Sequence, residues 1–247
     1  MAKKNTYGAK KRSKSNRAKK SLVVKILGKA LRYAVLAVCA FVAISVSGVI
    51  AYRFINPPYT PLMMIRSFEG VKMQTERRWT PYEQIPQSMI DAVVASEDNK
   101  FAEHSGFDFD EMREAHRQNS KRKYPRGAST ITQQMCKNVF LWNRRSYIRK
   151  GLEAWFTVWV ELLWSKQRIM EVYLNVIEMG NGVYGISAAA QTYYRKPPAK
   201  LSREEAAMIA ATLPSPRKRN PAKPSTYMLS RQQQILDLMG KIGTVKL

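Results

Sequence analysis

The chain has 247 residues, 45% of them hydrophobic, so it holds enough apolar side chains for one good-sized domain with appendages and is not generally disordered. Its formal net charge of +24 favours an anionic partner: nucleic acid, anionic lipid or a phosphorylated substrate. Two cysteines and two histidines are too few for a disulfide framework and argue against a zinc-dependent mechanism.

An uncharged run of twenty residues from Tyr33 to Tyr52 predicts a single transmembrane helix. At about 1.5 Å per residue, a helix of this length matches the roughly 30 Å hydrocarbon core of a bilayer. A cleaved signal peptide would have a shorter apolar region and a small-residue cleavage site. A buried helix of a soluble domain would show a polar stripe, which this run lacks.

The segment before this run carries twelve Lys or Arg and no acid, which places the N-terminus in the cytoplasm by the positive-inside rule. The rest of the chain then lies on the periplasmic side of the inner membrane, which weakens a nucleic-acid role. For residues 1–20 we predict no regular structure and chiefly a topology role, with attraction to anionic lipid. The predicted organisation is a basic tail over 1–32, a transmembrane helix over 33–53, a linker over 54–61 and one domain over 62–247.

The pattern of the domain is mainly helical. No Rossmann or Walker glycine pattern, no βαβ alternation and no internal repeat occurs. We expect an extended segment around Phe68–Gln74 and a mobile basic loop over 119–127. The predicted helices are Met89–Glu97 capped by Ser88, Phe107–Arg117 started by Asp108 or Asp110, Thr130–Val139 capped by Ser129, Ile148–Trp164, Lys166–Met179 capped by Ser165, Val183–Tyr194, Ala206–Leu213 with a capping box at 202–205, and Tyr227–Met239 ended by Gly240.

Two adjacent carboxylates, Glu97 and Asp98, follow directly on the apolar run Met89–Ala95. Acidic groups at the end of a hydrophobic element are costly unless they are paired or used in chemistry. The alternative is a helix end whose acids simply reach solvent.

Two further stretches carry groups suited to an anion. At Gly127–Gln134 a loop leads into a helix, whose free amides and hydroxyls can bind an anion or sugar hydroxyls. An ordinary capped helix is equally consistent with this pattern. Arg149 and Lys150 lie four and three residues before Glu153, which suits either a phosphate site or a surface ion pair contributing at most about 0.5 kcal/mol.

Five stretches in this order resemble the peptidoglycan glycosyltransferases, found as free-standing enzymes and as the N-terminal module of bifunctional penicillin-binding proteins. Two departures from the pattern are Ala128 in place of a second Gly and Met135-Cys136 in place of a Leu-Val pair; neither changes a candidate catalytic group. The chain stops at Leu247 without a transpeptidase domain and so resembles the monofunctional form. The matching stretches are Glu97–Gly106, Gly127–Gln134 with Lys137-Asn138, Arg149–Glu153, Lys166–Asn175 and Ala210–Pro216.

The resemblance implies a mainly α, lysozyme-like bilobal fold and polymerisation of lipid II. The growing glycan, held on a polyprenyl diphosphate, would be transferred with inversion to the 4-hydroxyl of the lipid II acceptor. We expect Glu97 to act as general base, and fixed cations to stabilise the leaving diphosphate. The expected site residues are Glu97 and Glu153 as catalytic groups, Ser129, Gln133, Gln134, Lys137, Asn138, Arg149 and Lys150 as substrate ligands, and Asp98, Phe101, His104 and Gly106 as structural support.

No cofactor is required by this scheme, although Glu153 would be the group to hold a divalent cation such as Mg²⁺ or Mn²⁺ on the diphosphate. We expect the basic loop at Lys121–Arg126 to close over the donor. The expected partners are lipid II, the lipid-linked glycan, membrane lipid and proteins of cell-wall synthesis or division, and not nucleic acid.

Two other functions are consistent with parts of the sequence. An anchored murein hydrolase would use the same carboxylates on the finished cell wall, but the cations around Glu153 fit a diphosphate better than a neutral glycan. A basic adaptor for lipid or nucleic acid would account for the charge but leaves the order of the five motifs unexplained.

Overall fold

The computed structural model describes residues 6–120, 127–144 and 146–247, with side chains from residue 25 onward. Within these ranges the chain forms ten α-helices and one antiparallel pair of short strands, so the prediction of a mainly helical fold is confirmed. The helices are α1 Thr6–Phe54, α2 Pro61–Phe68, α3 Gln87–Glu97, α4 Phe109–Asn119, α5 Ile131–Phe140, α6 Tyr147–Leu163, α7 Lys166–Val176, α8 Gly185–Tyr194, α9 Arg203–Ala210 and α10 Thr226–Ile242, and the strands are β1 Glu178–Gly180 and β2 Val183–Tyr184.

The chain divides into two compact units, one ending at Gly48 and the other beginning at Val49. The first contains most of α1, whose Lys25–Phe54 part is long and apolar enough to cross a membrane. Its side chains, such as Leu31 and Ile44, are mostly exposed, as a lipid-facing helix requires. The prediction of no regular structure for residues 1–20 is wrong from Thr6 onward, because Ala, Lys and Arg are good helix formers and no proline interrupts the chain before Pro57.

The second unit is built around α7. Ile169, Met170, Val172, Tyr173 and Leu174 of this helix are all completely buried. Helix α5 packs against α6 and α7, whereas α3 packs against α9 and α10. The two helices that carry the acidic stretch and the second motif are thus each held by a separate pair of neighbours.

One arginine of α7 holds the last turn of α1, which belongs to this second unit. The Arg168 guanidinium donates to the backbone carbonyl oxygens of Tyr52 at 2.9 Å and Ile55 at 3.1 Å, which are among the last carbonyls of a helix and lack intrahelical partners. It also pairs with Glu171 at 3.0 Å and lies over the ring of Trp164. The side chain is only 13% exposed, so these contacts are protected from solvent.

Several predicted boundaries are wrong, for local reasons. Helix α2, capped by Thr60, which accepts a hydrogen bond from the Met63 amide, was not predicted, and it includes Phe68, the first residue of the predicted extended segment. Helix α7 ends at Val176 because β1 pairs with β2 instead of continuing the helix. The turn into α8 places Gly185 at φ +78°, where an added Cβ would lie 2.5 Å from a backbone oxygen of Asn175.

The capping predictions had mixed outcomes. Asp108 caps α4, Ser165 caps α7, and Ser202 forms the capping box of α9 as predicted. Ser88 does not cap α3, which begins at Gln87, two residues before the predicted start, directly after Pro86. Helix α10 passes through Gly240 and ends before Gly243, whose φ of +74° favours glycine.

Candidate active site

Glu97 is the last residue of α3, and its half-buried carboxylate is held by neutral donors. Gln134 of α5 donates from Nε2 to Oε2 at 2.9 Å, and the Ser96 hydroxyl donates to Oε1 at 3.2 Å. Burial raises the pKa of Glu97 above its ordinary value, and these two hydrogen bonds oppose the rise. Tyr173 in turn donates to Gln134 Oε1 at 3.3 Å, which fixes the orientation of the amide.

Asp98 is buried and fastens the following turn to α5. Its Oδ1 contacts His104 Nε2 at 2.9 Å, and its Oδ2 accepts from the Ile131 amide at 2.9 Å. His104 Nδ1 accepts from the Gly106 amide at 3.1 Å, so the opposite ring nitrogen carries the proton and donates to Asp98. This arrangement agrees with a supporting rather than a reacting role for Asp98.

The other two predicted supporting residues pack tightly. Phe101 is completely buried, with the ammonium of Lys166 4.5 Å from its ring centroid. Gly106 has φ +83°, and a Cβ there would lie 2.6 Å from the side chain of Thr157. Any other residue at 106 would therefore push this turn away from α6.

The start of α5 differs from the prediction. Thr130, not Ser129, is the N-cap, and its hydroxyl accepts from the Gln133 amide while the Gln133 side chain accepts from the Thr130 amide. The Ile131 amide is taken by Asp98. The predicted anion site of free amides is therefore wrong for Ile131 and Gln133, because both donors already have acceptors.

Ser129, which does not cap α5, instead contacts a group of cations formed by Arg149 and Lys150 around Glu153. Lys150 Nζ donates to the Ser129 hydroxyl at 3.2 Å and also contacts Glu153 Oε1. Arg149 Nη1 donates to Glu153 Oε2 at 2.6 Å. Because Glu153 is only 3% exposed, the alternative of a surface ion pair is wrong: a buried carboxylate requires its partners.

Lys137 is half-buried on α5, beside this group. Within the described part of the chain its ammonium forms no ion pair, and burial lowers its pKa, opposed by the charge of Glu153. Its ammonium is therefore available for a ligand.

The side chains described above line two adjacent cavities. One of about 230 Å³ is lined by Glu97, Asp98 and Arg231, and another of about 850 Å³ by Lys137 and the Arg149–Glu153 segment. Ser129 lines both, and Gln134 lines the larger one while donating to Glu97. The expected substrate contacts of Gln133 and Asn138 have no support here, because both side chains are buried and neither residue lines these cavities.

Two arginines lie near Glu97 that no pattern in the sequence predicted to be part of the site. Arg231 of α10 donates to the Ser96 carbonyl oxygen at 3.3 Å, and its charge, like that of Arg219, acts to lower the pKa of Glu97. More than 120 residues separate either arginine from Glu97. The packing of α10 on α3 brings Arg231 close to Glu97, whereas Arg219 lies in the segment between α9 and α10. The loop Lys121–Arg126, which we expected to close over the donor, lies outside the described residues.

Comparison with known proteins now decides the family. The family model described as Transglycosylase matches residues 63–240. The chain belongs to the transglycosylase family. It is 52% identical over 218 residues to the biosynthetic peptidoglycan transglycosylase of Bacteroides thetaiotaomicron, which covers 87% of this chain and 88% of the relative. It is 50% identical over 201 residues to that of Caulobacter vibrioides, covering 81% and 87%.

This transglycosylase is therefore a glycosyltransferase that builds glycan chains in peptidoglycan synthesis. A relative from Bdellovibrio bacteriovorus carries the same description at 48% identity over 210 residues, covering 83% of this chain and 84% of the relative. The biosynthetic activity argues against the murein hydrolase and the basic adaptor as functions of this domain.

Proposed function

We propose that this transglycosylase polymerises lipid II by inverting transfer of a polyprenyl-diphosphate-linked glycan to the 4-hydroxyl of an acceptor lipid II. The observation that carries the proposal is the adjacency of two unlike cavities, one around a carboxylate with a raised pKa and one around three cations. Glycosyl transfer from a diphosphate needs both: a base for the attacking hydroxyl and fixed charge for the leaving group.

Glu97 is the proposed general base. The acceptor 4-hydroxyl gives its proton to the Glu97 carboxylate as its oxygen bonds to the anomeric carbon of the donor. A pKa raised by burial makes Glu97 a stronger base than an exposed carboxylate. Gln134 and Ser96 hold the carboxylate in place without neutralising it, because both donors are uncharged.

Lys137, Arg149 and Lys150 are the proposed ligands of the donor diphosphate. As the bond from the anomeric carbon to the phosphate oxygen breaks, negative charge grows on the diphosphate and is met by these cations. Glu153 orients Arg149 and Lys150 by occupying one donor of each. The Ser129 hydroxyl, already near Lys150, supplies a neutral hydrogen bond at the junction of the cavities.

A divalent cation held by the protein itself fits this site poorly. Both oxygens of Glu153 already contact cations, and no three His, Cys, Asp or Glu side chains lie together in the described ranges. Mg²⁺ or Mn²⁺ would therefore enter only with the diphosphate.

The proposed location is the inner membrane, with a single transmembrane helix and the catalytic domain on the periplasmic side. The apolar Lys25–Phe54 stretch and the basic residues before it support this orientation. Tyr147, Ile148 and Leu162 of α6 are strongly exposed, and the first two line the cationic cavity, as access for a polyprenyl chain requires. The proposed partners are lipid II, the growing glycan, membrane lipid and other cell-wall synthesis proteins.

Binding of a diphosphate-like ligand tests the cationic cavity. We expect Arg149→Gln to weaken the affinity for the phosphoglycolipid moenomycin at least tenfold, because a charged hydrogen-bond donor of about 1.5–3 kcal/mol is lost. Fluorescence polarisation with a labelled ligand measures this. Arg203→Gln, on the exposed first turn of α9, removes the same charge and is the matched control. An affinity within twofold of the unmodified enzyme in Arg149→Gln contradicts the assignment.

A further inference from the structure

A stripe of three cations lies on α1 just before its uncharged stretch. Lys25, Lys29 and Arg32 are spaced at i, i+4 and i+7, so they fall within an arc of about 60° and span about 10 Å along the helix axis. All three are exposed. Leu27 and Leu31, also exposed, extend from the other side of the helix. This part of α1 therefore has one cationic face and one apolar face.

A glycine opens a pocket beside this stripe. Lys25, Ile26, Gly28, Lys29 and Arg32 line a depression of about 460 Å³ on the helix surface. An added Cβ at Gly28 would meet nothing within 4 Å, and its backbone does not have the positive φ that favours glycine. Neither packing nor backbone conformation thus requires glycine, which is a poor helix former. What it provides is space next to three cations.

These cations lack any counter-charge of their own. The first acidic residue of the chain is Glu69, and in the described part of the molecule none of the three forms an ion pair. An arginine and two lysines around a notch fit a phosphate group, which accepts several charged hydrogen bonds at once. The charge and the space together indicate an anionic ligand.

We propose that the Gly28 pocket binds the phosphate headgroup of an anionic bilayer phospholipid. This inference rests on the proposed membrane span, because Arg32 directly precedes the uncharged Tyr33–Tyr52 run and so lies at headgroup depth on the cytoplasmic side. A soluble phosphate would have no acyl chains to enter the bilayer beside the uncharged run. A phospholipid places its headgroup in the notch and its acyl chains in the bilayer, alongside the helix that follows Arg32.

Lipid retention by the full chain tests the proposal. The protein is reconstituted in nanodiscs of phosphatidylcholine containing 10 mol% phosphatidylglycerol, then extracted in mild detergent, and the retained lipids are counted by native mass spectrometry. We expect phosphatidylglycerol to be enriched about threefold or more over its share of the bilayer. Gly28→Leu fills the notch but keeps every charge, and we expect it to reduce the enrichment to near one.

Matched charge variants separate a built site from general attraction. The triple change of Lys25, Lys29 and Arg32 to Gln should abolish the enrichment. The triple change of Lys10, Lys11 and Arg12 to Gln removes equal charge farther from the uncharged run and should keep at least half of it. Equal loss in both triples, or no effect of Gly28→Leu, overturns the proposal. Loss of phosphatidylglycerol on adding 10 mM inorganic phosphate also overturns it, because the pocket then takes free phosphate.

A separate experiment tests whether α1 spans the membrane at all. Alkaline extraction of vesicles carrying each variant should leave the protein in the membrane fraction. Release of the unmodified chain contradicts the proposed membrane span, on which the pocket depends. Retention of the unmodified chain without enrichment of phosphatidylglycerol contradicts the pocket alone.

Discussion

The change Glu97→Gln removes the proposed base and almost nothing else. Gln has the same shape as Glu, and its side-chain oxygen can still accept from Gln134 Nε2, which lies 2.9 Å from Oε2 in the native enzyme. The support by Asp98, His104 and Ile131 is independent of this side chain. The cationic cavity, which contains Arg149 and Lys150, is likewise unchanged. The substitution therefore isolates proton removal from substrate binding.

The expected loss of turnover in Glu97→Gln follows from the proposed general-base role of Glu97. General-base catalysis typically contributes about a hundred- to ten-thousandfold in rate, which is about 3–5 kcal/mol of transition-state stabilisation. The raised pKa of Glu97 increases the proton-transfer driving force. Asp98 uses both of its oxygens on His104 and Ile131. We therefore expect turnover to fall at least a hundredfold.

Gel separation of products from labelled lipid II measures this loss, and moenomycin affinity within about twofold of that of the unmodified enzyme shows that binding survives. Turnover above about a tenth of the unmodified enzyme would refute the general-base role. A parallel loss of moenomycin affinity would instead show that Glu97 acts through binding.

The same variant has a predicted effect on stability. Because the pKa of Glu97 is raised in the folded protein, the native state binds more protons than the unfolded state between the two pKa values, and the free energy of unfolding falls as pH rises through that range. Above the folded-state pKa the cost of burying the charge is fully present. Glu97→Gln removes that cost, so we expect a higher Tm at pH 7 and a smaller gain near pH 4. An equal gain at both pH values contradicts this reasoning.

Two further variants test the surroundings of the site. Gln134→Ala removes a hydrogen bond that lowers the pKa of Glu97, so the acidic limb of the pH dependence of kcat/KM should move to higher pH; an unchanged or lower limb contradicts the assignment. Arg168→Ala removes the bonds to Tyr52 and Ile55 and should lower the free energy of unfolding by about 3 kcal/mol, measured by denaturant titration in detergent. The control Arg113→Ala, on the exposed face of α4, should change it by less than about 0.5 kcal/mol, and equal effects would show that the Arg168 contacts contribute nothing.

Local signals in the sequence predicted much of the helical framework. A side-chain acceptor followed by a helical run identified the starts at Asp108, Ser165 and Ser202, because capping depends on neighbours within one turn. The paired cations three and four residues before Glu153 likewise indicated their contact. What spacing could not show is that Glu153 is buried, which turns a weak surface pair into an obligatory one.

Ser129 and Thr130 show where local signals stop. Both are good N-caps, and propensity does not distinguish them. Tertiary contacts make the choice: the Thr130 hydroxyl donates to the Gly106 carbonyl oxygen at 2.7 Å, and Asp98 accepts from the Ile131 amide. Both partners lie more than 20 residues away along the chain, so the local sequence pattern could not predict these contacts. The result leaves the Ser129 hydroxyl at the junction of the two cavities.

The surroundings of the two carboxylates are the reason for proposing different roles for them. Glu153 directs both oxygens at permanent cations, Arg149 and Lys150, so neither oxygen is free to take a proton from a substrate hydroxyl. Glu97 is held by an amide and a hydroxyl, which orient the carboxylate without cancelling its charge, and burial raises its pKa. An enzyme that must deprotonate an acceptor beside a departing diphosphate needs this contrast. If Glu97 had been ion-paired like Glu153, its basicity would be lost; if Glu153 had been unpaired, its charge would repel the diphosphate.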